Sequence, residues 1–224
     1  MSAQTSMASS GETTRTLGLR ERKKQQTRQN ISNTATLLFL ERGFDNVTIA
    51  EIAAAADVAK MTVTNYFPRK EDLVLDLHDV FVTGLARTVR ERPPGESAFT
   101  ALRSAYLAAA AEKDAVAGFS GPEFARLLTG SPALVGRLRE FHEERERLLA
   151  EQLTDETAAP AGDFTPRIAA ALLGSVHRAL FEETLRRTVA GESNDTIASA
   201  ITGYITVAFD TLEPSLGTYA VRAD

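Results

Sequence analysis

The sequence predicts an all-α protein: a small three-helix head followed by a helical bundle, about nine helices together. Three observations carry this. Apolar residues recur at three- and four-residue spacing through almost the whole chain, and no run alternates as a half-buried strand does. Cap and stop signals punctuate the pattern: Thr48 with Glu51, Ser131-Pro132, Thr165-Pro166, Ser193-Asn194, Gly43 after Arg42, and Pro214. Residues 48–72 read as two short helices joined by a tight turn, with no internal repeat elsewhere.

The head is the informative stretch. Arg20, Arg22, Lys23, Lys24 and Arg28 open the first helix as a basic cluster, read as cations that sit near phosphates or reach into a minor groove. Ile31, Ala35, Leu38 and Phe39 form its apolar stripe, and Phe44 and Val47 pack behind it. Thr48 and Glu51 form an S/T-x-x-E capping box, which satisfies two otherwise orphaned amides. Ile49, Ile52, Ala53 and Ala56 then line one face; Asp57 breaks the run and Val58 plugs the turn. The segment from Lys60 to Phe67 turns Val63 and Phe67 inward and leaves Lys60, Met61, Thr62, Thr64, Asn65 and Tyr66 largely outward, until Pro68 stops it. A short second helix with a polar outer face fits a major groove; a plain helical hairpin has the same spacing.

The ordered run Gly43-Phe44, Val47-Thr48-Ile49-Ala50-Glu51-Ile52-Ala53, Val58, Lys60, Thr62-Val63 and Tyr66 to Leu73 resembles the N-terminal domain of the TetR/AcrR family of transcriptional regulators, over roughly residues 27–75. Asp57 stands where that family usually has a turn glycine, Met61 where glycine is common, and Thr64 where tyrosine is common. The Asp57 difference predicts a slightly altered turn. The resemblance implies a homodimer, repression from a near-palindromic operator, and release by a small-molecule effector. It also implies that Thr62, Tyr66 and Lys70 touch the DNA backbone. Lys60, Thr62, Thr64 and Asn65 are the base-edge candidates: Asn pairs bidentately with adenine, and a threonine methyl meets that of thymine. Met61 shares their face. Thr48, Tyr66 and Lys70 are phosphate candidates, with Arg42 and Arg69 as further cations. No arginine lies on this helix, so arginine–guanine pairs from it are not expected.

Residues 1–18 are expected to be a disordered tail, 19–68 the DNA-binding domain, 69–213 a regulatory and dimerisation domain, and 214–224 a loose C-terminal tail. A helix is expected to open at Arg69 to Asp72, carry Leu73, Leu77, Val80 or Phe81, and Leu85, and end near Arg92 before Pro93-Pro94-Gly95. Ser120 to Glu123 reads as a second capping box. Small and apolar residues surround most of the circumference of the last two long helices, more than one buried stripe needs. The resemblance implies that these two form a four-helix dimer interface, for which Leu173, Val176, Leu180, Ile201, Tyr204, Ile205 and Ala208 are candidates. It also implies a ligand pocket in the body. Phe81, Tyr106, Phe141, His142, His177 and Phe181 are its candidate lining.

The charge is split. Net −5 over 224 residues divides into ten Lys/Arg against six Asp/Glu in residues 1–70 and fifteen against twenty-four afterwards. A basic head on an acidic body suits a protein that presents one end to double-stranded DNA. The absence of Cys excludes disulfides and thiolate metal sites. No cofactor fingerprint occurs: there is no P-loop and no G-x-G-x-x-G, and His142-Glu143-Glu144-Arg145-Glu146 lacks the second histidine of a zinc-protease helix. Neither an enzyme nor a resident cofactor or metal is expected. No apolar run reaches membrane-spanning length and the N-terminus lacks a signal-like core, so the expected location is the cytoplasm. A second reading stays open: an all-α ligand- or partner-binding protein that has lost specific DNA reading, suggested by Asp57, Met61 and Thr64.

Overall fold

A computed structural model describes residues 18–223. The elements run α1 (Leu19–Arg42), α2 (Ile49–Ala55), α3 (Lys60–Tyr66), a 3-10 turn (Glu71–Leu73), α4 (His78–Glu91), α5 (Ala98–Glu112), a second 3-10 turn (Ala115–Ala117), α6 (Pro122–Gly130), α7 (Pro132–Glu156), α8 (Thr165–Val189) and α9 (Asn194–Leu216). Among the described residues there is no strand beyond an isolated bridge between Ser97 and Val221, so the chain is all-α. No helix among them is long and apolar enough to cross a membrane. The tail expected over residues 1–18 falls, except for Gly18, outside the described residues.

Two apolar clusters hold the chain. The first joins Ile31, Phe39, Ile52, Val63 and Phe67 of the head to Phe81, Leu128, Leu134, Phe141 and Phe181 of the body. The second lies deeper, around Leu85, Phe99, Leu102, Leu149, Leu173, Ile201 and Phe209. Phe39, Phe67, Phe141 and Phe209 are among the largest fully buried side chains; each contributes about 1.5–3 kcal/mol of apolar burial. The head packs on the body chiefly through α1, against α6 and the Glu71–Leu73 turn.

Four local expectations change. The helix expected from Arg69 instead opens at His78, after a separate 3-10 turn. Tertiary hydrogen bonds hold this joint. Ser32 Oγ of α1 lies 2.7 Å from Asp76 Oδ2 and 3.2 Å from the Leu73 carbonyl, and Arg137 of α7 reaches Asp72 at 2.9 Å. Leu77 and Val80 consequently stay exposed, while Phe81, Val82, Leu85 and Val89 form the buried stripe. The capping box at Ser120 does not form: Gly121 is the N-cap and Ser120 Oγ is buried without a partner. Pro214 lies inside α9, which continues to Leu216. The segment after it is tied down, since Arg92 donates to the Ala220 carbonyl at 2.7 Å and to Glu156 at 3.0 Å.

Candidate nucleic-acid interface and ligand cavity

The reading head is built by local chemistry. Thr48 Oγ1 accepts from the Glu51 amide and the Glu51 carboxylate accepts from the Thr48 amide, completing the capping box. Arg42 reaches the same carboxylate at 2.7 Å. The Arg42 hydrogen bond, with those from Thr48, holds the Glu51 carboxyl down at about 2. In the turn, Asp57 takes φ 53, the left-handed conformation glycine adopts most easily. The residue differs from the family's usual one, but the left-handed backbone that a glycine would favour is present. Val63 and Phe67 are buried, whereas Lys60, Met61, Thr64 and Asn65 are exposed and Thr62 and Tyr66 half-buried.

The outward residues differ in what they offer. The Asn65 side chain makes no hydrogen bond to another described residue, and Met61 is 70% exposed, the most open large apolar side chain of the head. Thr64 Oγ1 donates back to the Met61 carbonyl at 3.1 Å, which leaves its methyl as the outward group. Thr48 is committed to its cap. Lys70 donates to the Phe44 carbonyl and lies 4.3 Å from the Phe44 ring centroid, and Arg69 pairs with Glu140 at 2.8 Å. These cations are held by the protein itself. The α1 cluster is also divided: the Arg28 guanidinium stacks 4.6 Å over Phe67. Arg20, Lys23, Lys24 and Thr27 instead share a shallow groove with Tyr66 and a single carboxylate, Glu21. Among the described residues, none of Arg20, Lys23, Lys24 and Lys60 has a carboxylate within ion-pair distance. The structure thus sets a row of unpaired cations beside the outward face of α3.

In the body, Phe81 is the hub of an aromatic cluster. Its ring centroid lies 5.0 Å from His142, 5.6 Å from Phe181, 5.8 Å from His177 and 6.3 Å from Phe141. All six residues expected around a pocket are brought together, with Tyr106 joining through His177 at 5.4 Å. A cavity of about 280 Å³ opens beside this cluster, bounded by the 74–78 joint, Phe81, the 115–120 turn, α6, Phe141 and Phe181. A second, of about 140 Å³, lies across Phe181 and Val116 and is lined by Tyr106, His177 and Arg145. His142 borders neither; it lines an outer groove with Arg139 and Arg178. Burial, reinforced by Arg145 and Arg178, pushes His142 down to about 4. Burial likewise pushes His177 well down and raises the Tyr106 hydroxyl. Tyr106 donates to the Leu173 carbonyl at 3.1 Å.

Sequence reasoning missed the 115–120 turn and Arg145 as lining. Gly118 was the available signal: it has φ 95, and a Cβ there would meet the Phe181 carbonyl at 2.9 Å. Arg145 carried one as well: it stands four residues after Phe141 and four before Leu149, on the apolar stripe of a long helix, where a cation is out of place.

Residues 31–77, which take in the second half of α1 with α2 and α3, match the model for bacterial regulatory proteins of the tetR family. The chain is also 28% identical over 221 residues to the HTH-type transcriptional regulator TcmR of Streptomyces glaucescens, covering 96% of this chain and 95% of that protein. Its reading head therefore matches the DNA-binding region of the TetR family. The fold as a whole is similar to solved structures. NalD of Pseudomonas aeruginosa, described as the secondary repressor of the MexAB-OprM multidrug efflux pump, superposes with TM-score 0.52 at 21% identity, covering 84% of this chain and 97% of that one. GusR of Salmonella enterica gives TM-score 0.52 at 18% identity, with 86% and 96% covered.

In the body, α8 and α9 divide their apolar residues between two sides. Leu173, Ile201 and Ile205, expected at a dimer interface, are 1–2% exposed inside the second core. They already face α5, α7 and one another, so a second subunit cannot reach them. The outward apolar residues are Ile168, Leu172, Tyr204 and Val207, 38–66% exposed. Val176, Leu180, Tyr204 and Ala208 of the expected set line a shallow outer groove between the two helices.

Proposed function

We propose that the protein is a homodimeric, sequence-specific transcriptional regulator that represses from a near-palindromic operator and is released by a small molecule in the body. The observation that carries the DNA side is the row of unpaired cations, Arg20, Lys23 and Lys24, beside Tyr66 and the outward face of α3. The α1 cations and Tyr66 hold phosphates, while Lys60, Met61, Thr62, Thr64 and Asn65 meet base edges. Asn65, with its free amide, is the principal reader. Two heads address half-sites about one turn apart, roughly 34–36 Å. The outer apolar sides of α8 and α9, through Leu172, Val176, Leu180, Tyr204, Val207 and Ala208, pair the subunits. The protein works in the cytoplasm, where its DNA is, with no enzymatic step.

The ligand side rests on where the 280 Å³ cavity lies. Its walls include the 74–78 joint, which leads from the head into α4, and α6. A ligand that prefers a cavity shape incompatible with the DNA-bound spacing of the heads shifts the population toward release, by no more than its differential affinity.

The test is selection of genomic fragments by the purified protein, repeated across a salt series. The expected result is an inverted repeat bound with steep salt dependence. Uniform weak binding to every fragment supports instead the ligand- or partner-binding reading. The triple change Thr62→Ala, Asn65→Ala, Tyr66→Ala removes the operator complex under the first reading and changes nothing measurable under the second.

A further inference from the structure

Arg145 is a buried charge with no carboxylate in ion-pair contact; Asp114 favours its charge only from a distance. It is 4% exposed. Among the described residues no carboxylate lies within 4.0 Å of its guanidinium. Its Nη1 lies 2.7 Å from His177 Nε2 and 3.0 Å from Nδ1. A guanidinium only donates, so His177 meets it as a neutral acceptor. The guanidinium carbon sits 4.5 Å over the Phe81 ring. Nε is buried with no hydrogen-bond partner. A cation so placed is costly unless something anionic completes it.

The surroundings name the complement. Arg145 lines the smaller cavity, together with Arg87 and Asp114 at its edge. Asp114 is exposed and its Oδ1 accepts the Val116 amide at 2.9 Å, so it favours the Arg145 charge without contacting it. The wall shared with the larger cavity is Val116 and Phe181, and the larger cavity is otherwise mostly aromatic and aliphatic. A molecule that fills this space needs an apolar, flat body and one anionic end.

We propose that the effector class is an aromatic acid, whose ionised oxygen pairs with Arg145 and whose ring system lies in the same cavity, against Tyr106, Phe181 and Ile205. This deepens the ligand-responsive reading above and rests on it. Arg145 is then the specificity determinant: it selects acids over equally sized amides and amines, because only an anion repays the desolvation already imposed on the guanidinium.

The experiment uses the full chain and three matched probes, 2-naphthoate, 2-naphthamide and 2-naphthylmethylamine, titrated calorimetrically near neutral pH. Naphthoate is expected to bind at least tenfold more tightly than the amide, and the ammonium compound not at all. Arg145→Met is expected to erase the acid preference while leaving the amide within about twofold, and to melt no lower than the parent, since it replaces a buried charge with an apolar chain. Arg145→Lys keeps part of the preference and serves where the methionine variant does not fold. Equal binding of acid and amide, survival of the preference in Arg145→Met, or no acid-specific binding by any of benzoate, 2-naphthoate and 9-anthroate overturns the proposal. Operator affinity is measured in the same samples. Acid binding without release sinks the ligand-responsive reading and leaves the acid site standing; release by neutral compounds alone does the reverse.

Discussion

Single residues set local stability in ways that can be measured. Asp57 occupies a left-handed backbone conformation at φ 53, which costs a residue with a Cβ about 1–2 kcal/mol, less for Asp than for most. Asp57→Gly is therefore expected to stabilise the head by about 0.5–1 kcal/mol in urea unfolding, with operator affinity unchanged. His142 supplies a pH dependence. Its folded value is depressed from 6.5 to about 4, chiefly by burial. Between those two values the unfolded chain takes up a proton that the folded chain refuses, so stability is full above about pH 6.5 and falls as pH drops toward 4. The loss is on the order of 3 kcal/mol, and His177, depressed by the same cause, adds in the same direction. His142→Leu is expected to flatten the denaturation midpoint over that window; an unchanged pH profile would show that another group governs it. Neither effect was legible in the sequence. A histidine in an amphipathic pattern does not reveal whether it ends in a core or at a surface.

At the scale of elements, the helix-turn-helix was readable because its determinants are neighbours in sequence. A capping box spans four residues, and an apolar stripe repeats every three or four. The start of α4 was not, because Ser32 and Arg137, far away in sequence, fix the 72–76 joint. The paired helices α8 and α9 show the same limit: periodicity announces two apolar sides without saying which neighbour each meets. The structure separates them, and a pair of substitutions exploits it. Ile201→Asp places a carboxylate in the core and is expected to destabilise each subunit by several kcal/mol. Val207→Asp, on the outer face, is expected to leave circular dichroism intact while shifting sedimentation from dimer to monomer. A Val207→Asp protein that remains dimeric would move the interface elsewhere. Gly118→Ala, against the Phe181 carbonyl with φ 95, is expected to cost roughly 2 kcal/mol and to reshape the larger cavity.

For the whole molecule, the net charge hides the functional asymmetry. The acidic body repels DNA and the cationic edge of α1 attracts it, which favours approach by the head. Each neutralised phosphate adds a slope of about 0.9 in log affinity against log salt. Lys23→Gln with Lys24→Gln is thus expected to flatten that slope by about 0.9 for every phosphate left without its lysine, doubled by the twofold dimer, while the preferred sequence stays the same. Asn65→Ala is expected to do the opposite, relaxing the sequence preference at one position by about 1–3 kcal/mol with the slope retained. A change of preference in the lysine variant would reverse the division of labour between phosphate and base recognition.

The sequence by itself determined the helices, the reading head and the basic end, because caps, turns and stripes act over three or four residues and charge needs no fold to be counted. The tertiary structure alone decided that Arg28 stacks on Phe67 while Lys23 and Lys24 stay free, that Leu173, Ile201 and Ile205 are core, and that Arg145 is a buried cation facing a cavity. Each of these depends on which helix lies against which. That choice is made by packing between residues tens of positions apart, where periodicity carries no information about the partner.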